Sequence, residues 1–209
     1  MIFNVYANDL HRHSDLADQI FRMRARVFKD RLSWDVNVEN GIERDEYDDL
    51  DPLYVMSIDD RSGLLRGAVR ILPTTGRHMM GDIFNDFFDE PVLAQSPQIW
   101  ECTRFAIHPD FEATLTPTGL NVATSELLLG VCDAARASGV TQILGVSEMP
   151  MLRIYRRSGW APEIVGRSAR PGTVAIFAGL WDVSREASLS IRSQAGFAAG
   201  LPATEAMAA

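Results

Sequence analysis

Residues 53–72 read LYVMSIDDRSGLLRGAVRIL. Two apolar runs, 53–58 and 64–72, flank Asp59, Asp60, Arg61, Ser62 and Gly63, and apolar strands joined by a short polar turn ending in glycine make an antiparallel hairpin. Upstream, residues 2–6 alternate as a strand. Ser14 then reads as the cap of a helix running to about Lys29, with Asp15 and Asp18 in its first turn, where carboxylates favour the helix dipole. Downstream come a short helix over 81–88, bounded by Pro91, and the strand IWECTRFAI over 99–107. A helix over 119–138 stops at Gly139, a strand covers 141–146, a helix covers 150–158 before Gly159, and strands cover 163–165 and 173–180. Strands interleaved with covering helices around one adjacent hairpin predict an α/β fold, a three-layer α/β/α arrangement on a mixed central sheet. Residues 1–183 read as one domain, and the Ala/Ser/Gly-rich stretch 184–209 as a weak helix followed by a mobile tail.

Composition narrows the function. The chain has 209 residues, is 46% hydrophobic and carries a net charge of −8. One core is affordable at that length, and the acidity disfavours long-range attraction to nucleic acid or anionic lipid. Cys102 and Cys132 lack the spacing of a metal site or disulfide framework, and the histidines are scattered, so no metal is expected. No signal peptide or spanning segment is read, and a cytoplasmic protein is expected.

Three groups of charges invite chemistry. On the first helix Leu16, Ile20, Met23 and Val27 form a core stripe, with Ala17, Phe21, Arg24 and Phe28 beside it. This places Arg24 at the border of the core, beneath a long loop bearing Trp34, Asp45 and Asp48. Together with Arg70, those carboxylates and guanidinium groups suit a zwitterionic, amino-acid-like ligand, or form an ion-pair network that only pins the loop. Glu101 and Arg104 are three apart on a strand, so they face opposite sides unless a bulge turns them together. A desolvated Glu101 has the raised pKa of a general base near neutrality, or else partners an arginine at the core edge. Arg153, Arg156 and Arg157 share one helix face, a local positive patch or a solvated face near a helix end.

With Arg24, Phe28, Trp34, Asp45, Asp48, Arg70, Glu101 and Arg104 in register, and with the segments ECTRFAIHP and RRSGW, the chain resembles the LuxI-type acyl-homoserine lactone synthases over roughly residues 1–183. The resemblance implies a fold related to the GNAT N-acyltransferases, although residues 111–119, FEATLTPTG, lack the glycine-rich turn that holds the coenzyme A pyrophosphate. It implies that the amine of S-adenosylmethionine attacks an acyl-carrier-protein thioester. The methionyl carboxylate then closes the lactone and expels 5′-methylthioadenosine. S-Adenosylmethionine is thus a substrate, and no cofactor is needed. Glu101 is expected to be the base and Arg104 to join it. Arg24, Phe28, Trp34, Asp45, Asp48 and Arg70 would hold S-adenosylmethionine, with Asp48→Asn abolishing product while leaving the fold intact. The acyl chain would enter a slot among Leu144, Val146, Met149, Met151, Leu152, Trp160 and Phe177. Leu144 stands where the family carries a threonine associated with 3-oxo substrates, so a 3-unsubstituted or 3-hydroxy product is expected. Arg153, Arg156 and Arg157 would dock the acidic carrier protein, with acyl-coenzyme A as the other donor. The rival readings are a GNAT-like N-acyltransferase using acyl-coenzyme A and another amine, and a non-catalytic sensor of an apolar acid, against which Glu101 argues.

Overall fold

Alternation along the hairpin decides which residues meet which layer. In the computed structural model, which describes residues 1–169, 174–198 and the backbone of 205–206, the strands are β1 (Ile2–Tyr6), β2 (Val38–Glu39), β3 (Ile42–Glu43), β4 (Leu53–Ile58), β5 (Leu65–Pro73), β6 (Ile99–Ile107), β7 (Gln142–Glu148), β8 (Glu163–Ser168), β9 (Ile176–Asp182) and β10 (Glu205–Ala206). The helices are α1 (Ser14–Arg24), α2 (Met79–Asp82), α3 (Val122–Ala137), α4 (Leu152–Arg157) and α5 (Arg185–Ala195). The main sheet runs β10-β1-β4-β5-β6-β7-β9-β8, and β6 lies parallel to β7 while β4–β5 and β7–β9 are antiparallel. Leu53 and Val55 of β4 join the core formed with α3, α4 and α5, whereas Tyr54 and Met56 join the core formed with α1, as period-two alternation requires. This is the expected three-layer α/β/α arrangement on a mixed sheet.

Several boundaries differ for local reasons. Ser14 does not cap α1, because the chain enters from 3₁₀ turns over Ala7–His13 with Ser14 already in helical geometry, whereas a capping residue must be extended. Past Arg24 the helix widens into π turns over Ala25–Arg31. The long loop has structure of its own: β2 and β3 pair across Asn40 and Gly41, both at positive φ, and a 3₁₀ turn over Glu46–Asp49 follows. The helix expected over 81–88 is α2 followed by a 3₁₀ turn, Phe84–Phe87, with Ile83 leaving helical geometry between them.

Toward the C-terminus α5 is capped by Ser184, whose side chain accepts from Ala187 N, and Gly196 closes it in the left-handed conformation. Ser188 and Arg192 each bond Asp133 of α3 at 2.7 Å, so residues 185–195 pack on the domain. Beyond residue 198, the backbone of β10 pairs in parallel with β1, and the rest of the expected tail lies outside the described residues. So does Thr173, at the start of the last expected strand.

α3 lies close on the sheet because Gly130 has no side chain: a Cβ there would meet Val55 Cγ1 at 2.6 Å and Ile2 Cγ2 at 2.8 Å. Gly130→Ala should therefore destabilise the protein by about 1–3 kcal/mol through overpacking, although alanine is the better helix former by ~1 kcal/mol. Urea denaturation gives the sign, and a more stable variant would show that the contact yields.

Candidate functional site

β6 and β7 pair at only three positions, Ile99 with Gln142, Trp100 with Ile143 and Glu101 with Leu144, and then part. The wedge between them opens into a cavity of about 340 Å³. One end is walled by Phe28, Trp34, Thr103 and Arg104, the other by apolar side chains of β7, α3 and α4. β6 carries a bulge beside it. Thr103 pairs with Arg70 and Ala106 with Ala68, so two residues oppose Val69, and Arg104 takes φ +55°. Of the two arrangements open for Glu101 and Arg104, the bulge is the one observed. It brings the Arg104 guanidinium to the acidic cluster bonded by Arg70.

That cluster holds three guanidinium groups and three carboxylates. Arg24 grips Asp48 through two bonds of 2.7 and 2.9 Å and also donates to Glu43. Arg70 donates to Asp48 at 2.8 Å, to Thr103 Oγ1 at 3.1 Å and to Asp45. Arg104 reaches Asp45 at 2.7 Å and Glu43 at 3.2 Å, and the Tyr54 hydroxyl donates to Asp48 at 2.7 Å. Arg24, Arg70, Glu43 and Asp48 are all buried. Burial pushes the Asp48 carboxyl up, but the Arg24 hydrogen bonds and the charges of Arg24 and Arg70 outweigh it and hold the group well below the usual carboxylate range. Asp45 also caps the following 3₁₀ turn by accepting from Tyr47 N at 3.0 Å. Arg24 thus lies inside the core rather than at its border. Sequence reasoning missed Glu43, although Asn40-Gly41 is a hairpin signal that would have turned the loop back over Arg24.

The expected ligand residues therefore divide. Phe28 and Trp34 line the cavity, stacked with ring centroids 5.1 Å apart, and Arg104 sits 5.5 Å over the Phe28 ring. Arg24, Asp48 and Arg70 lie behind that surface as its frame, and Asp45 lies between, its side chain 18% exposed. Glu101 is buried beside the cavity, its oxygens accepting from the backbone N–H groups of Met79 at 2.8 Å and Met80 at 2.5 Å. Desolvation raises its pKa, with those two donors opposing.

Of the seven acyl-slot candidates, Val146, Met151 and Trp160 line the cavity. Leu144 does not. It is fully buried with Met80, Phe88 and Ala178, because neighbouring residues of a strand face opposite ways and it is Ile143 that faces the cavity. Its apolar character therefore says nothing about the acyl 3-position. Phe177 and Leu152 are core, and Met149 packs against that core. Tyr155 and Trp181, which the sequence reading passed over, supply wall instead.

Arg153, Arg156 and Arg157 are exposed on α4. Arg157, however, donates to Thr118 O at 2.9 Å through Nε and lies 2.5 Å from where a Gly119 Cβ would be, so it pins the turn before α3. At the start of α3 the first two donors are taken, Val122 N by Thr114 O at 2.8 Å and Ala123 N by Asn121 Oδ1 at 2.9 Å. Among the described residues no His, Cys, Asp and Glu group is placed to hold a metal, and no helix is long and apolar enough to cross a membrane.

A family model described as autoinducer synthase matches residues 7–191. The acyl-homoserine-lactone synthase of Rhizobium etli is 45% identical over 177 residues, 84% of this chain and 81% of that one. A CoA-dependent acyl-homoserine lactone synthase, MesI, superposes with a TM-score of 0.81 at 25% identity, covering 96% of this chain and 97% of its own. A second, BjaI, solved with SAM and isopentyl-CoA, gives 0.81 at 24% identity over 94% of this chain and 90% of its own, a likeness of fold. The same fold reaches a putative N-acetyltransferase from Lactobacillus plantarum, at 0.57 and 12% identity over 88% and 99%.

The geometry overturns the expectation that Asp48→Asn spares the fold, because the amide would leave Arg24 and Arg70 buried without their shared anion. The variant should lose about 3–5 kcal/mol in chemical denaturation. Since the folded Asp48 pKa is depressed, its contribution is present above the unfolded value of about 4 and is lost as pH falls below it. Wild-type Tm should drop in that range more steeply than that of the variant. Equal stabilities at neutral pH would remove Asp48 from the frame.

Proposed function

The chain belongs to the autoinducer synthase family, and from that premise we infer how its cleft makes an acyl-homoserine lactone. The protein is an acyltransferase of the acyl-homoserine-lactone synthase type. One observation carries the assignment of parts: the parting of β6 from β7 joins an aromatic and charged end to an apolar end within one cavity. An amine nucleophile and an acyl thioester have to meet at such a junction.

In this reading S-adenosylmethionine enters at the Phe28–Trp34 end. The stacked rings meet its sulfonium through cation–π attraction, and Arg104 and Asp45, the members of the cluster nearest solvent, meet its carboxylate and amine. Arg24, Asp48 and Arg70 act as positioning residues that hold that surface. Glu101, with its raised pKa, takes the amine proton, directly or through a water, as the amine attacks the thioester carbonyl. Backbone N–H groups on the unpaired stretches of β6 and β7 are the donors for the carbonyl oxygen. Lactonisation follows from holding the acylated intermediate folded, so that its carboxylate reaches the carbon bearing the sulfonium. Methylthioadenosine leaves without a protein nucleophile.

For the donor, acyl carrier protein is the reading supported by the first two N–H groups of α3 being occupied by Thr114 and Asn121, by the lack of a glycine-rich turn over 111–119, and by the exposed arginines of α4. Acyl-coenzyme A is the second reading, favoured by the likeness to MesI. Purified protein incubated with S-adenosylmethionine and parallel sets of acyl-carrier-protein and acyl-coenzyme A thioesters should yield homoserine lactones and methylthioadenosine by mass spectrometry, faster from the carrier protein. Absence of lactone from both sets would overturn the reaction, and faster turnover of coenzyme A thioesters would overturn the donor.

Because Arg157 is engaged by Thr118, the docking test falls on the other two arginines. Arg153→Glu with Arg156→Glu should raise KM for acyl carrier protein by on the order of tenfold at low salt and leave KM for S-adenosylmethionine unchanged. Salt should bring the wild type towards the variant. An unchanged carrier-protein KM would make the arginines a solvated face.

A further inference from the structure

Beyond its charged end the cavity is lined mainly by apolar groups, with Thr124, Ser147, Glu148 and Tyr155 the polar side chains, and two of these bond each other in an arrangement that the reaction above does not use. Ser147 of β7 and Tyr155 of α4 both line the cavity, and their hydroxyl oxygens lie 3.0 Å apart. The Tyr155 ring is fixed. It is 8% exposed and packs edge-on against Trp181, with centroids 4.8 Å apart at 71°, and against Phe177 at 6.5 Å and 86°. Burial pushes its pKa up to about 12, with the Ser147 bond opposing, so the phenol stays protonated at neutral pH. The indole N–H groups nearby are spent elsewhere, Trp181 on Trp160 O at 3.1 Å and Trp160 on Asp182 O at 2.7 Å. Gly145, two residues before Ser147, keeps the passage open, since a Cβ there would stand 3.3 Å from the Trp181 ring and 3.5 Å from Cys102 O.

When two hydroxyls bond each other, one donates and the other keeps its own proton free, while lone pairs remain on both. The pair therefore offers an apolar slot one donor and an acceptor at a single spot. A saturated methylene there leaves the free proton and the remaining lone pairs unmatched at a largely covered spot, which costs free energy. A ketone oxygen answers only the donor. A hydroxyl group answers both. On acyl-carrier-protein thioesters an oxygen substituent sits at carbon 3, where chain elongation places it.

We propose that Ser147 and Tyr155 form a recognition site for a hydroxyl on the acyl chain, so that the preferred donor is a 3-hydroxyacyl thioester. This rests on the synthase reading given above, and it narrows the 3-unsubstituted or 3-hydroxy product expected from Leu144, a residue outside the cavity, to the second.

The test is a competition. Wild-type enzyme, Tyr155→Phe and Ser147→Ala each receive S-adenosylmethionine with an equimolar mixture of 3-hydroxyacyl, 3-oxoacyl and unsubstituted acyl-carrier-protein thioesters of one chain length, and again with the coenzyme A forms. The lactone products are then counted by mass spectrometry. The wild type should favour the 3-hydroxy product over the unsubstituted one by about tenfold, the scale of one hydrogen bond made in an apolar slot, and over the 3-oxo product by less. Both variants should bring the ratio towards one. Phenylalanine keeps the ring and its packing, and should Tyr155→Phe fail to fold, Ser147→Ala decides alone. A wild type without 3-hydroxy preference, or a preference that survives the variants, overturns the recognition site while the synthase reading stands. No lactone from any thioester overturns both.

Discussion

Arg24 and Asp48 meet in two parallel bonds inside the core, and from that pair the charged end of the cavity is built outward through Arg70, Glu43, Asp45 and Arg104. The cluster sums to zero charge. Each arginine bonds more than one carboxylate, and each carboxylate more than one arginine, so desolvation of six ions is offset only while all six are present. Such a network contributes uniqueness more than stability. It fixes where the β2–β3 hairpin turns back and holds Arg104 at its bulge in the cavity wall, with Asp45 behind it.

The second constraint is hydrogen-bond accounting in the sheet. Strands that part leave backbone donors and acceptors that must find other partners. The parting begins just past the pairing of Glu101 with Leu144, and both residues there are committed to structure. Leu144 closes one layer, and Glu101 clasps the first N–H groups of α2, tying the segment that covers the site to the branch point of the sheet. A single buried carboxylate thus ties α2 to the point where the two strands separate. The backbone freed beyond it lines the cavity.

Much of this was legible in the residues. The hairpin over 53–72 and the strand over 99–107 are readable because apolar content and turn chemistry agree there, and Arg24, Arg70, Glu101 and Arg104 stand out as charges in apolar runs, whereas Asp45 and Asp48, on an acidic loop, gain meaning only with those arginines. What escaped depended on tertiary detail. Arg24 was placed at the border of the core because helical spacing gives a face but not its depth, and the π turns over Ala25–Arg31 leave no mark in a 3.6-residue pattern. Leu144 was placed in the acyl slot because composition does not tell the two faces of a strand buried on both sides. Arg157 is indistinguishable from Arg153 and Arg156 in sequence, because its bond to the Thr118 carbonyl comes from a segment remote in the chain.

The Phe28–Trp34 stack gives the protein an optical property. Trp34 is 41% exposed and lines the mouth of the cavity, whereas Trp160 and Trp181 are 5% and 4% exposed at the apolar end and Trp100 is partly covered. Indole emission shifts with the polarity and charge around the ring. The red-shifted share of this chain's fluorescence is therefore expected from Trp34 and the blue-shifted share from Trp160 and Trp181. One cavity thus carries an exposed and two buried intrinsic chromophores in its wall, and ligands that enter it can be followed without a label.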